Sequence, residues 1–345
     1  MVQSTLPAGG ARCRLLRRNL WALGTYGLLI LMLLYERSIH STAFQAFDLQ
    51  SLVDPTVPLA LAAMAQTCVV LTGGIDLSVG ALMSLANVIA ANWMVHASYP
   101  GALGMALVLM AGGAALGAIT ALAINVTRVP DIIVTLATSA IWGGLALQVM
   151  PTPGGGVPQA FADLLTGGVR GSGVPAGLLV IAVAVLILWL PMRLSRPGLA
   201  LYALGSNRTA AFLSGVDVSR TRVLAYALGG VFAALGGLVL TAQTGNGSAH
   251  AGDTYTLNSV AAIVIGGVAL TGGRGGMLGP IAAAFILNLL SAILGFDGVD
   301  PNYGQVIQGA VVVLAVMIGG LLLRPQAAGR VLTLAMSLIR RPGRG

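Results

Sequence analysis

Apolar residues run through this chain in long blocks separated by short polar gaps, and most blocks are wider than a soluble helix needs. A helix crosses a bilayer in about 20 mostly apolar residues. Measured against that length, the chain offers ten candidate spans, at 20–35, 53–72, 79–96, 101–126, 131–150, 174–192, 222–244, 258–271, 277–295 and 303–323. The first, third and eighth are short, so each is expected to tilt, break or shift register. The longer connections are 36–52, 151–173 and 193–221. In 151–173 the turn-rich Pro151-Thr152-Pro153-Gly154-Gly155-Gly156-Val157-Pro158 leads into a short helix near 159–165.

Composition makes the membrane the only solvent that fits. Of 345 residues 57% are hydrophobic and 8% charged, with a mean hydropathy of +0.90. A soluble domain averages about 25% charged residues. The expected fold is therefore all-α and integral to the membrane, about ten helices forming a single domain over 20–323. It is flanked by basic tails at 1–19 and 324–345. The 48 glycines follow no collagen-like period, and the loops leave no room for a second soluble domain.

Charge supplies the orientation. All 18 basic residues are arginines. With the amino terminus in the cytoplasm, ten spans put every arginine inside except Arg37 and Arg170, as the positive-inside rule requires. Both termini are then cytoplasmic. Arg12, Arg14, Arg17 and Arg18 before an apolar run also resemble a secretory signal. Cleavage there would reverse the parity of the remaining spans, so the first helix is expected to stay. The arginines form no patch interleaved with aromatics, which argues against a nucleic-acid partner. Cys13 and Cys68 cannot build a disulfide framework, and His40, His96 and His250 lack metal-ligand spacing.

Few residues carry chemistry. A phosphate-cradling loop needs a lysine after its second glycine, and the chain has none, so if it moves a solute uphill another subunit must supply the energy. Paired carboxylates and Ser/His/Asp sets are also missing. Thr72-Gly73-Gly74-Ile75-Asp76-Leu77-Ser78-Val79-Gly80 interrupts an apolar region and holds one acid near the membrane. Two readings stand: Asp76 or Ser78 caps the helix that follows, or Asp76 takes part in gating. Gly112-Gly113, Gly229-Gly230 and Gly236-Gly237 read as helix-packing surfaces, and Gly272-Gly273-Arg274-Gly275 as a tight cytoplasmic turn. Leu71-Thr72-Gly73-Gly74 with Gly80 and Leu270-Thr271-Gly272-Gly273 with Gly279 form an internal echo, with chance as its competitor in a Gly- and Leu-rich chain. Asn87, Gln148, Asn258 and Asn288 are either path-lining amides or hydrogen bonds between helices.

The inner connection 193–221 is polar yet helix-compatible. Asn207 is placed to cap a short helix through Arg208, Ala210, Ala211, Leu213 and Ser214, and Gly215 to end it in the left-handed region. Such a helix either lies on anionic lipid or docks into a partner protein.

Three blocks resemble the permease subunits of bacterial ABC importers of the ribose/xylose/galactose type, a group that includes autoinducer-2 permeases. They are Thr72–Gly80, Tyr202-Ala203-Leu204-Gly205-Ser206-Asn207 with Ala210-Ala211 and Ser214-Gly215-Val216, and Leu257–Gly279. Their order and separation extend the resemblance over 50–325. It implies a type II importer-like permease in the bacterial inner membrane, paired with a second copy or a sister permease. Two cytoplasmic ABC ATPase subunits, holding ATP and Mg, and a periplasmic solute-binding protein would complete it. It also implies that Asn207–Gly215 is the coupling helix seated in an ATPase cleft. The outer acids Asp163, Asp297 and Asp300 would be candidate contacts for the binding protein. The sequence departs from the family pattern at Ser206 and Arg208-Thr209, where Gly and Pro-Glu are common.

The competing readings are an ion-driven secondary carrier, for which Asp76 is the candidate ion site, a membrane enzyme, and a branched-chain amino-acid-type ABC permease. The Gly74-Ile75-Asp76-Leu77-Ser78 block argues for the sugar group over the last.

Overall fold

A computed structural model describes residues 9–39, 46–168, 173–300 and parts of 303–317. The expected tail at 324–345, much of the tenth span, the first residues of the amino-terminal tail, His40 and Arg170 lie outside the described residues. Among the described residues the chain is helical, with two isolated bridges, Gly154 to Gly247 and Gly168 to Pro175.

Helix α1 (Gly9–Ile39) covers the first expected span and α2 (Ala46–Val70) the second. Then follow α3 (Val79–Met94), α4 (Tyr99–Thr127), α5 (Asp131–Val149) and the short α6 (Gln159–Thr166). The sixth span is α7 (Ala176–Val183), a wider π-helical stretch (Ala184–Trp189) and α8 (Leu190–Leu194) in one continuous rod. The inner connection holds α9 (Arg196–Ser206) and α10 (Arg208–Leu213). Helices α11 (Val218–Thr244), α12 (Asp253–Ile265) and α13 (Leu278–Phe296) complete the chain as far as it is described continuously. Six stretches are long and apolar enough to cross a membrane: Asp48–Val70, Tyr99–Thr127, Asp131–Val149, Ala176–Leu194, Val218–Thr244 and Leu278–Gly295. The protein is a multi-pass membrane protein.

The helix ends follow from local chemistry. Ser98 caps α4 by accepting the amide of Gly101, and Asp217 caps α11 by accepting that of Arg220. Pro58 inside α2 removes the donor that would serve the carbonyl of Asp54, and the side-chain amide of Gln243 donates to that carbonyl instead.

Helices α2 and α11 form the centre. Of the α2 span 89% is buried, against 22% for α7–α8. Outward faces carry exposed Leu107, Val126, Leu136 and Ile187, the arrangement expected where the solvent is hydrocarbon. Gly113 packs on the backbone of Gly230, Gly229 on Ala65, and Gly236 and Gly237 on Met83. Gly112, expected in the same packing surface, has open space beside it, because the α4–α11 contact falls on the neighbouring helix position.

A shift of 172 residues carries the start of α2 (Ala46) onto the start of α11 (Val218). It also lays α3 on α12, α4 on α13, and α5 on the helical residues from Tyr303 onward. The paired units run in opposite directions, since Leu61 meets Gly236 while Ala65 meets Gly229. The molecule is thus built on an inverted repeat. The echo read from the sequence, Leu71–Gly80 with Leu270–Gly279, has a different offset and is not this repeat.

The repeat explains the short third and eighth spans. Met83 touches Gly236, which also touches Leu61 in the middle of the α2 span. Helix α3 therefore begins near mid-depth and runs to one end of the bundle. Helix α12 begins beside it, at Gly252 against Gly80, and runs to the other end, where Ile265 accepts a bond from Thr25.

Candidate functional site

Helix α10 is fixed at both ends by its own sequence. Asn207 is extended (φ −160°), and its Oδ1 accepts the Ala210 amide at 2.9 Å. At the other end Gly215 takes φ +82°. Its amide bonds the carbonyl of Phe212 and that of Val216 the carbonyl of Ala211, both at 3.0 Å. This paired closure satisfies the last carbonyls with a left-handed glycine. The helix is six residues long, and α9 ends separately before it at Ser206.

Ala211 faces inward, while Phe212 and Leu213 are 67% and 79% exposed. Arg208, Ala210 and Ser214 are exposed beside them. A groove of about 630 Å3 runs along this helix, lined by Asn125, Arg128, Arg208, Phe212, Asp217 and Ser219.

Behind α10 the three sequence blocks converge. The Gly273 amide donates to the Leu71 carbonyl at 3.0 Å, and the Tyr202 hydroxyl to the Gly275 carbonyl at 3.0 Å. A side chain on Gly272 would meet the amide of Gly73 and the Cα of Gly205. Gly73 and Gly272 both adopt the left-handed region, at φ +86° and +85°. The exposed Arg274 lies in the turn closed by the Ala269 amide on the Arg274 carbonyl.

Asp76 is buried between α2 and α3. Its Oδ1 accepts the Ser78 amide at 2.8 Å and the Ser78 hydroxyl at 2.6 Å. Ser78 makes no side-chain cap to α3, contrary to the expectation for that residue; the Gly80 amide is bonded instead by Thr256 of α12. Asp76 therefore holds the turn, and one amide of the helix opening, that of Gly80, is satisfied across the repeat.

Beside Gly74 a second polar group fills the space where a side chain would go. Asp131 lies 3.8 Å from the guanidinium of Arg222 and accepts the Tyr226 hydroxyl at 3.3 Å. Arg222 also bonds Asn125, which in turn bonds Ser219. Pattern reading missed this group because Asp131 looks like an ordinary first-turn acid of α5. Phe212 was passed over as well, although an apolar ring beside Leu213 in a polar connection was the available signal.

The far end of the bundle carries two of the predicted outer acids. Gln50 of α2 bonds the Thr166 carbonyl at the end of α6, and Leu52 accepts from Asn288 of α13. Asp163 on α6 and Asp297 after α13 are exposed in these two regions, with Gln159 bonding Asp163. Asp300 is exposed three residues beyond Asp297. Of the four candidate amides, Asn87 is fully buried and ties Thr241 to Ser248, and Asn288 ties α13 to α2. Gln148 is exposed and Asn258 half-buried.

A family profile described as the permease component of branched-chain amino acid transport systems matches residues 51–316. The chain is 32% identical to the ribose import permease protein of Escherichia coli (strain K12), over 86% of this chain and 94% of that one. It is 33% identical to the ribose import permease protein of Bacillus subtilis (strain 168), over 85% and 90%. It is 31% identical to the autoinducer 2 import system permease protein of Photorhabdus temperata, over 75% and 79%. No solved structure matches the chain.

Proposed function

The chain belongs to the permease-component family of branched-chain amino acid transport systems, and from that premise we propose that it is the membrane-spanning subunit of an ATP-driven importer for a sugar or sugar-like solute. The curated relatives named above are import permeases for ribose and autoinducer 2, which favours a sugar-like solute over an amino acid. An ion-driven carrier has less support: Asp76 is engaged by Ser78 in a turn.

The observation that carries the proposal is α10. A helix capped by side chain and glycine, held between two membrane helices and pointing Phe212 and Leu213 outward, is a stiff knob suited to a cleft in a partner. Lipid alone would not select a knob closed at both ends. Arg208, Ala210, Phe212, Leu213 and Ser214 then form the coupling contact, with Asn207, Ala211 and Gly215 shaping the helix, backed by the turn Gly272-Gly273-Arg274-Gly275. ATP and Mg belong to the ATPase that receives it.

The same reading extends to the rest of the assembly. Ten crossings put both termini and the 193–221 connection in the cytoplasm, with one permease domain over 20–323 in the bacterial inner membrane. A second permease copy or a sister subunit shares the solute path. A periplasmic binding protein delivers the solute to the end carrying Asp163, Asp297 and Asp300. Gly73, Gly74, Asp76, Ser78 and Gly80 form the gating turn that leads into α3.

Co-purification of the assembled transporter tests the reading. The native chain is expected to retain a cytoplasmic ATPase subunit, and a chain with 207–214 replaced by a Gly/Ser linker to lose it. Equal retention by both would remove α10 from the coupling role. No ATPase with either, with the partners co-expressed, would overturn the importer itself.

A further inference from the structure

Two irregular stretches enter the bundle at equivalent places in the repeat, 71–78 ahead of α3 and 245–252 ahead of α12. Within a bilayer, non-helical backbone persists only where protein covers it or where it lines water. Past Gly73 and its equally exposed counterpart Gly245, the two stretches differ: Gly74, Asp76 and Ser78 of the first are buried. The second is covered at Gly247, Ala249 and Gly252 but exposes Asn246 and His250, whose counterparts are Gly74 and Ser78.

The difference is sharpest at matched positions. The 172-residue shift lays His250 on Ser78 and Asp253 on Ala81, which are 1% and 7% exposed. His250 Nδ1 and Asp253 Oδ2 are 2.9 Å apart, yet the two side chains are 70% and 58% exposed. Their depth is fixed by Gly252 between them, whose amide bonds Ser84 at 2.8 Å and whose backbone lies against Gly80 near mid-depth. Ionisable side chains at that depth face a water-filled cavity or the interior of an assembly, not hydrocarbon.

We infer that His250 and Asp253 line the solute path and form a hydrogen-bonding step for a neutral, polyhydroxylated solute near its middle. The carboxylate accepts from solute hydroxyls, and the imidazole Nε2, turned away from Asp253, exchanges a further hydrogen bond. Leu257, one turn along the same helix and 73% exposed, offers an apolar surface for the C–H face of a sugar ring. The solute class rests on the importer reading; the lining of a water-filled path rests on geometry alone.

Thiol labelling separates the two. In cells expressing the assembled transporter with Cys13→Ser and Cys68→Ala, single cysteines replace His250, Asp253, Ser78 or Ala81. A membrane-impermeant, negatively charged methanethiosulfonate is then added outside. His250→Cys and Asp253→Cys are expected to react at least about tenfold faster than Ser78→Cys and Ala81→Cys, since thiol modification requires access from water. Equal, slow rates at all four would seal the pair against lipid or protein and overturn the inference. Labelled Asp253→Cys is further expected to lose most ribose uptake; full labelling with undiminished uptake would take the pair off the path. The labelling rates need no sugar, so a transporter that ignores ribose would fail the sugar reading and leave the lining result standing.

Discussion

Gly80 and Gly252 meet with only backbone between them, and each donates its amide to the hydroxyl four residues beyond the other, Gly80 to Thr256 at 3.2 Å and Gly252 to Ser84 at 2.8 Å. The exchange joins the two halves of the repeat at mid-depth and satisfies one amide at the start of each short helix.

A methyl group on either glycine would enter the other's carbonyl group. Gly80→Ala and Gly252→Ala are each expected to cost about 1–3 kcal/mol, as overpacking of a close contact does. Ser84→Ala orphans the Gly252 amide, for about 1–3 kcal/mol. Unfolding midpoints of the detergent-solubilised protein measure all three, and wild-type midpoints for both glycine variants would contradict the packing described.

The caps of α10 act locally. Asn207→Ala is expected to cost about 1 kcal/mol of helix stability. Gly215→Ala, forced into the left-handed region, is expected to cost about 1–2 kcal/mol. Hydrogen exchange of the amides in 210–216 should quicken in both variants while the global unfolding midpoint stays put.

Phe212 and Leu213 separate folding from coupling. Being exposed, Phe212→Ser and Leu213→Ser should change stability by no more than about 0.5 kcal/mol. Each should weaken ATPase retention by more than about 1 kcal/mol if it is a central interface contact. Titrating the ATPase against each variant in nanodiscs reads the difference, and unchanged affinity for both would move the contact elsewhere on the connection.

Asp131 and Arg222 are 18% and 11% exposed at the side chain, and breaking one partner leaves the other's charge largely buried. Asp131→Asn or Arg222→Met is expected to cost about 3 kcal/mol. The double variant should lose clearly less than the two single losses combined, because the partners are coupled. A double-mutant cycle on unfolding midpoints checks this, with simple additivity as the contrary result.

Much of this architecture is legible in the sequence because a bilayer imposes one length scale. The expected spans at 101–126, 131–150 and 277–295 lie within a few residues of α4, α5 and α13. Asn207 and Gly215 were legible for a different reason: a cap and a left-handed terminus are local, and their residue types name them. Long-range pairing left no such mark. Nothing in the pattern around Gly80 says that its neighbour is Gly252, so two helices that start at mid-depth read as short full spans. The repeat was hidden as well, because it survives in element lengths and in isolated positions such as Gly80 and Gly252. Identical Leu-Thr-Gly-Gly strings elsewhere drew attention to another offset. His250 and Asp253 fell in a loop, and their depth exists only once the loop folds back into the bundle.

The contact among Gly73, Gly205 and Gly272 has a mechanical consequence. Side chains absorb small displacements by changing rotamer, but these turns touch through backbone atoms, with the Gly273 amide pinned to the Leu71 carbonyl. If α10 receives a push, as the proposed coupling role requires, α9 would pass it into a junction with little slack. The end of α2 and the turn that enters α13 would then move with it, as in a rigid crank rather than a spring.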